Sequence, residues 1–270
     1  MSTSPPRPTD LQPRAAGTLL FVAVLLVAAN LRMTITGVGP LLDEIGSDEG
    51  ISPAMLGLLG ALPLIAWGCV SPFSHWLSAR FGMTNTVSWS LVAFAAGTVW
   101  RSLPGTQANL WLGTVLIGIG IAVANVLMPA VIKRDFPGRV PLLMGLYTAL
   151  LGGMAAVGAG VAVPISQLPL ASGEPAGWRV ALVAMGAPIP IALVVWIIAN
   201  RRRTTLMAAA AQHSQAPAAA TAPSTGVARR IWRDPVAWQV SLYMGAQSTI
   251  FYTLASWYAP YEIANGVSAA

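Results

Sequence analysis

Seven apolar runs of bilayer-spanning length divide this chain, at residues 17–42, 53–77, 83–100, 109–132, 140–166, 178–199 and 236–260. Inside hydrocarbon every backbone N–H and C=O must find a partner within the protein, so runs of this kind are confined to helices or closed barrels, and their length selects helices. The expected fold class is all-α, a polytopic membrane helix bundle. Composition agrees, since only 9% of the 270 residues are charged, far below the roughly 25% of a soluble domain. The first run exceeds a signal-peptide core, contains Arg32 and leads into further runs of the same type, so it reads as a retained span.

Charge then orients the bundle. Arg80, Lys133, Arg134, Arg139, Arg201, Arg202, Arg203, Arg229, Arg230 and Arg233 fall in alternate connections, while the others hold Asp43, Glu44, Asp48, Glu49 and Glu174, with Arg101 and Arg179 at helix edges. The positive-inside rule puts the N-terminus and residues 201–235 in the cytoplasm and residues 43–52 outside, in a plasma membrane. The net charge of +6 follows from this loop bias, and no nucleic-acid partner is needed to explain it. Residues 1–16 read as a disordered cytoplasmic tail, 17–200 as a six-helix unit, 201–235 as a cytoplasmic linker, and 236–270 as one more helix. A single cysteine, Cys69, excludes an intrachain disulfide and a cysteine-based metal site.

Arg32 is the leading functional residue. At 1.5 Å per residue it lies roughly 22 Å from Gly17 and roughly 15 Å from Leu42, out of easy reach of either interface. An intramembrane arginine costs about 2.5–3.5 kcal/mol on insertion scales, so such residues usually face a bundle interior or a wet cavity and mark a solute path. Helical spacing puts Leu25, Ala29, Arg32, Thr36 and Gly39 on one side, with Asn30 and Thr34 opposite, and Gly37, Gly39 and Pro40 weaken the outer end. In the second run Pro63 and Pro72 offer a hinge or a packing site. The row Ala156, Gly160 and Pro164 in the fifth run offers close helix packing. Asn125, Pro129 and Lys133 share a side of the fourth run: Asn125 either bonds across helices or lines a cavity, and Lys133 and Arg134 anchor at the interface or contact a gate. In the seventh run Gln247 lies at a depth like that of Arg32. Tyr252 is a candidate ligand contact, and Trp257 an interface-belt residue or a contact.

Enzymatic chemistry finds no footing. His75 and His213 fall at a membrane edge and in the linker, neither placed for a buried Ser/His dyad or a zinc site, and the runs contain no carboxylate. No cofactor is expected.

Asn30-Leu31-Arg32 with Ile35 to Leu42, the run Asn125 to Pro137, and Gln247-Ser248 with Phe251, Tyr252 and Trp257 together resemble the cyanate and 2-nitroimidazole transporter-like branch of the major facilitator superfamily. The resemblance implies two six-helix halves around a central cavity, both termini cytoplasmic, and transport by alternating access. It pairs the first and seventh helices as symmetry mates, which would bring Arg32 and Gln247 to one site near the midplane. Of the superfamily signature after the second helix only Arg80 and Gly82 remain, with His75, Ala79 and Met83 replacing its Gly, Asp and first basic residue. With seven helices before Ala270, the chain reads as the N-terminal portion of such a carrier. Its partners would be the lipid bilayer, a small solute of anionic character, and protons as a coupling ion. Substrate contacts would come from Arg32, Thr36, Asn125, Gln247 and Tyr252, and gating or packing from Asn30, Pro40, Arg80, Gly82, Pro129, Lys133, Arg134 and Trp257. The alternative is a receptor, an assembly factor or an inactive truncated product.

Overall fold

The computed structural model describes residues 8–171, 173–213 and 234–266. Its helices are α1 (Pro8–Thr36), α2 (Leu42–Glu49), α3 (Pro53–Phe81), α4 (Met83–Arg101), α5 (Gln107–Asp135), α6 (Val140–Ser166), α7 (Gly177–Gly186), α8 (Pro188–His213) and α9 (Pro235–Ala264). Among the described residues there is no β-sheet, only an isolated bridge between Pro169 and Pro175. The chain divides into two compact units, Met1–Leu206 and Met207–Ala270.

Every expected run is helical, but several boundaries differ. α1 begins at Pro8, so the stretch expected as a disordered tail is helical from there on, and residues 1–7 lie outside the described residues. At its other end α1 stops at Thr36, where Gly37 opens a turn, a 3-10 turn follows over Gly39–Leu41, and α2 carries the acidic residues onward to Gly50. Gly50 closes α2 with φ of +64°, a conformation that glycine alone adopts without strain. The sixth run is two helices, because Pro188 cannot continue the hydrogen-bond ladder of α7. α8 then extends through Arg201 to His213, so the start of the expected linker is helical and residues 214–233 lie outside the described residues.

Five stretches among the described residues are long and apolar enough to cross a membrane: Gly17–Glu49, Pro53–Phe81, Gln107–Asp135, Pro137–Ser166 and Gly177–Ala208. The third and seventh expected spans fall short of that measure, although both are helical. α4 carries Thr84, Asn85, Thr86, Ser88 and Ser90 in its first half, and α9 is rich in Trp, Tyr, Gln and Ser.

Within the first unit α4 packs along α5 through glycines. A Cβ on Gly97 would meet the Gly113 carbonyl and the Ile117 backbone at 2.8 Å, and one on Gly120 the Ser90 carbonyl at 2.6 Å. The largest core gathers Val24, Leu31, Phe94, Ile121, Met128 and Trp196 from α1, α4, α5 and α8. A second, toward the acidic end, gathers Ile45, Leu59, Leu110, Trp178 and Leu182. The row expected to pack α6 faces outward instead. Ala156, Gly160 and Pro164 are exposed, whereas Leu151, Ala155, Gly158 and Ala162 are buried.

The two ends of this unit are held by charge. At one end the Glu44 carboxylate accepts the Trp178 backbone N–H at 2.7 Å, Asp48 accepts the Trp178 indole N–H at 2.9 Å, and Arg179 bridges Asp48 and Glu49. At the other Asp135, its side chain 1% exposed, is gripped by Arg134 at 2.8 Å and by Arg203 of α8 at 2.5 Å.

Candidate functional site

Arg32 projects from α1 one turn before its end at Thr36, in the middle of the apolar stretch Gly17–Glu49, and is half-buried. Its guanidinium carbon lies 5.9 Å from the centroid of the Trp67 ring on α3. That is the range of a cation–π contact, which favours a cation in a partly desolvated place. Leu25 and Ala29, on the same side of α1, are half-buried too. Thr36 departs from this face: its hydroxyl donates to the Ala155 carbonyl of α6 at 2.8 Å and is buried. Across the helix Asn30 is buried, its amide donating to the Leu26 carbonyl at 2.7 Å, a bond within α1.

Asn125 bonds across helices. Its Oδ1 accepts the Tyr147 hydroxyl of α6 at 2.7 Å, while its Nδ2 is buried without a hydrogen-bond partner among the described residues. A fixed amide with one unused donor is a polar contact point held by a neighbouring tyrosine. Pro129 lies inside α5 one turn further on, and Pro40 lies in the 3-10 turn after α1. Lys133 is exposed, and Arg134 joins Arg203 on Asp135, so the fourth span is tied to α8 at this end. Arg80 is exposed at the end of α3. Gly82, with φ of +81°, forms the corner into α4, where its carbonyl accepts both the Thr86 N–H and hydroxyl.

In the second unit Gln247 is exposed on α9. Tyr252 is buried, its ring meeting Phe251 edge-on at 5.2 Å, and Trp257 is 45% exposed.

Sequence reasoning missed Trp67, Tyr147, Asp135 and Arg203 as partners of the residues it chose. Trp67 carried a signal of its own, since a tryptophan in mid-span is out of place in an interface belt. The Arg203 to Asp135 pairing across 68 positions carried none.

Residues 20–270 match the Major Facilitator Superfamily. The chain belongs to that family. It is 36% identical over 254 residues to the 2-nitroimidazole transporter of Escherichia coli (strain K12), covering 93% of this chain and 59% of that protein. It is 29% identical over 250 residues to the cyanate transport protein CynX of the same organism, covering 93% and 60%. The superfamily chain thus spans about three-fifths of the length of these relatives. Among solved structures it resembles a D-xylose-proton symporter, with a TM-score of 0.59 at 18% identity over 73% of this chain and 52% of that one. It also resembles the xylose transporter XylE from E. coli in an inward-open conformation, with a TM-score of 0.57 at 16% identity over 66% and 47%. At such identity these likenesses establish the superfamily fold alone.

Proposed function

We propose that this superfamily member serves secondary transport of a small anionic or polar organic solute, of the cyanate or nitroimidazole kind, by alternating access in the plasma membrane. The observation that carries the reading is Arg32, a charge half-buried in the middle of an apolar span against Trp67. A guanidinium backed by an aromatic ring carries a planar donor fork suited to a planar anion or nitro group. Asn125 supplies a second donor from α5. Gln247 and Tyr252 of the second unit are proposed as solute contacts in their own right, and protons as the coupling ion. Thr36 supports α1 against α6 in this scheme, since its hydroxyl is engaged by Ala155. The names of the relatives support the solute class, and the proposal includes no catalytic step.

The test is uptake of cyanate, 2-nitroimidazole and small carboxylates into cells producing the protein at matched membrane abundance. Arg32→Ala is expected to lower uptake at least tenfold, and Arg32→Lys to recover little, because lysine lacks the planar donor fork. Parental uptake in Arg32→Ala would overturn the assignment.

A further inference from the structure

At the end of the first unit where Asp135 ties α5 to α8, a groove of about 840 Å³ runs between the start of α4 and the middle of α8. The two helices are joined beside it: the Thr84 hydroxyl donates to Asn200 Oδ1 at 3.1 Å, and the Trp196 indole N–H to the Thr84 carbonyl at 3.2 Å. Hydroxyl donors along the groove are already spent on backbone. Ser88 donates to the Thr84 carbonyl at 3.0 Å, Thr204 to the Asn200 carbonyl at 3.0 Å, and Thr205 to the Arg201 carbonyl at 3.1 Å. Donors remain on two arginines that line the same groove. Arg134 gives Nε and Nη2 to Asp135 and keeps Nη1, while Arg201 is exposed and makes no ion pair among the described residues. No carboxylate lines the groove, and Asp135 is held by Arg134 and Arg203 with its side chain 1% exposed.

Polarity changes along its length. On α8 the apolar Ile197 lies one turn, about 6 Å, inward of Arg201, and on α4 Trp89 lies about 9 Å inward of Met83. Trp89 is 69% exposed, and Val92, Val194 and Ile198 continue an exposed apolar flank beyond it. α8 belongs to a stretch long and apolar enough to cross a membrane, so this flank faces hydrocarbon and the arginines sit at the headgroup level. A soluble anion has no use for the apolar half of such a groove, whereas a phospholipid matches both halves. We propose that the groove binds one anionic glycerophospholipid, with its phosphodiester on Arg201 and Arg134 and an acyl chain along Trp89 and Ile197. A zwitterionic headgroup suits it less, because its ammonium would meet two guanidiniums and no carboxylate. Basic pockets between membrane helices take anionic headgroups on these same grounds. The site excludes Arg32 and is independent of the transport proposal.

Native mass spectrometry of the purified full chain in detergent tests it, with dioleoylphosphatidylglycerol and dioleoylphosphatidylcholine titrated separately. One phosphatidylglycerol per chain is expected to bind at least tenfold more tightly than phosphatidylcholine. Arg201→Gln should weaken that step about fivefold, the usual worth of one basic residue against an anionic lipid surface. Arg202→Gln removes the same charge from an exposed neighbour outside the groove and should change it less than twofold. Equal binding of the two lipids, or equal effects of the two arginine variants, would overturn the inference in favour of a diffuse basic surface. Displacement of the lipid by glycerol 1-phosphate would overturn it in favour of a soluble phosphate ester. Should Arg201→Gln fail to fold, Ser88→Phe decides the matter by narrowing the groove without altering charge: weaker phosphatidylglycerol binding is expected, and parental affinity would refute the site.

Discussion

Gly158 sets how closely α6 approaches α1. A Cβ there would lie 2.5 Å from the Met33 carbonyl oxygen, one turn from the place where Thr36 bonds the Ala155 carbonyl. Gly158→Ala should push the two helices apart and cost about 1–3 kcal/mol, the usual penalty of overpacking. Gly160→Ala, two residues on with nothing within 4 Å of its added carbon, should leave the thermal midpoint unchanged or raise it slightly, since alanine is the better helix former. A larger loss in Gly160→Ala than in Gly158→Ala, read by thermal unfolding in detergent, would contradict this packing. The same pair marks a limit of reading residues alone. Small side chains recur at helical spacing on both faces of α6, so the row Ala156, Gly160 and Pro164 was as plausible from sequence as the buried row containing Ala155 and Gly158. Arg32 was legible for a different reason. A charge within an apolar run conflicts with its surroundings whichever way the helix turns, whereas its partner Trp67 depends on how α1 meets α3.

At the scale of elements, helices were readable from length and apolarity, and the end of α1 from Gly37, whereas the break before Pro188 was not foreseen, because prolines such as Pro63, Pro72, Pro129 and Pro164 lie inside helices without ending them. Polar residues in α4 were harder to weigh. Thr84 bonds Asn200 of α8 and Arg101 turns into the core, so polarity that looks solvent-facing in the sequence is internal to the unit. Charge ties between helices set two expectations. Asp135 joins the end of α5 to α8, and Asp135→Asn should cost roughly 1–3 kcal/mol, the range for a hydrogen-bonded charge whose arginine partners remain partly in water. Arg134→Ala should cost less, because Arg203 stays on the carboxylate, and equal midpoints for the two variants would count against the shared grip. At the opposite end, the Trp178 indole N–H and the neighbouring Arg179 hold the Asp48 carboxyl below its usual pKa, against a smaller opposing effect of burial. A depressed carboxylate contributes stability above its unfolded pKa and loses it as pH falls through the folded value. The α2 to α7 contact should therefore hold at neutral pH and loosen below about pH 4. Hydrogen exchange in α2 that does not change between pH 7 and pH 3, after correction for intrinsic rates, would argue against it.

For the whole molecule the open question is which end faces the cell interior. The first unit concentrates charge of opposite sign at its two ends: Glu44, Asp48 and Glu49 gather around Arg179 at the start of α7, and Arg134 and Arg203 around Asp135 at the ends of α5 and α8. Translocation disfavours arginine and lysine in short connections and is nearly indifferent to carboxylates, so the expected orientation keeps the basic end in the cytoplasm. Cys69 is exposed and must first be replaced, as Cys69→Ser, to give a silent background. In it, Ser47→Cys on α2 and Thr205→Cys on α8 introduce thiols at exposed positions of the opposite ends. An impermeant maleimide applied to intact cells should label the first and spare the second, which should react only after the membrane is opened. The reverse pattern would invert the orientation, and labelling of both in intact cells would show that α8 does not return to the side from which α5 and α3 leave.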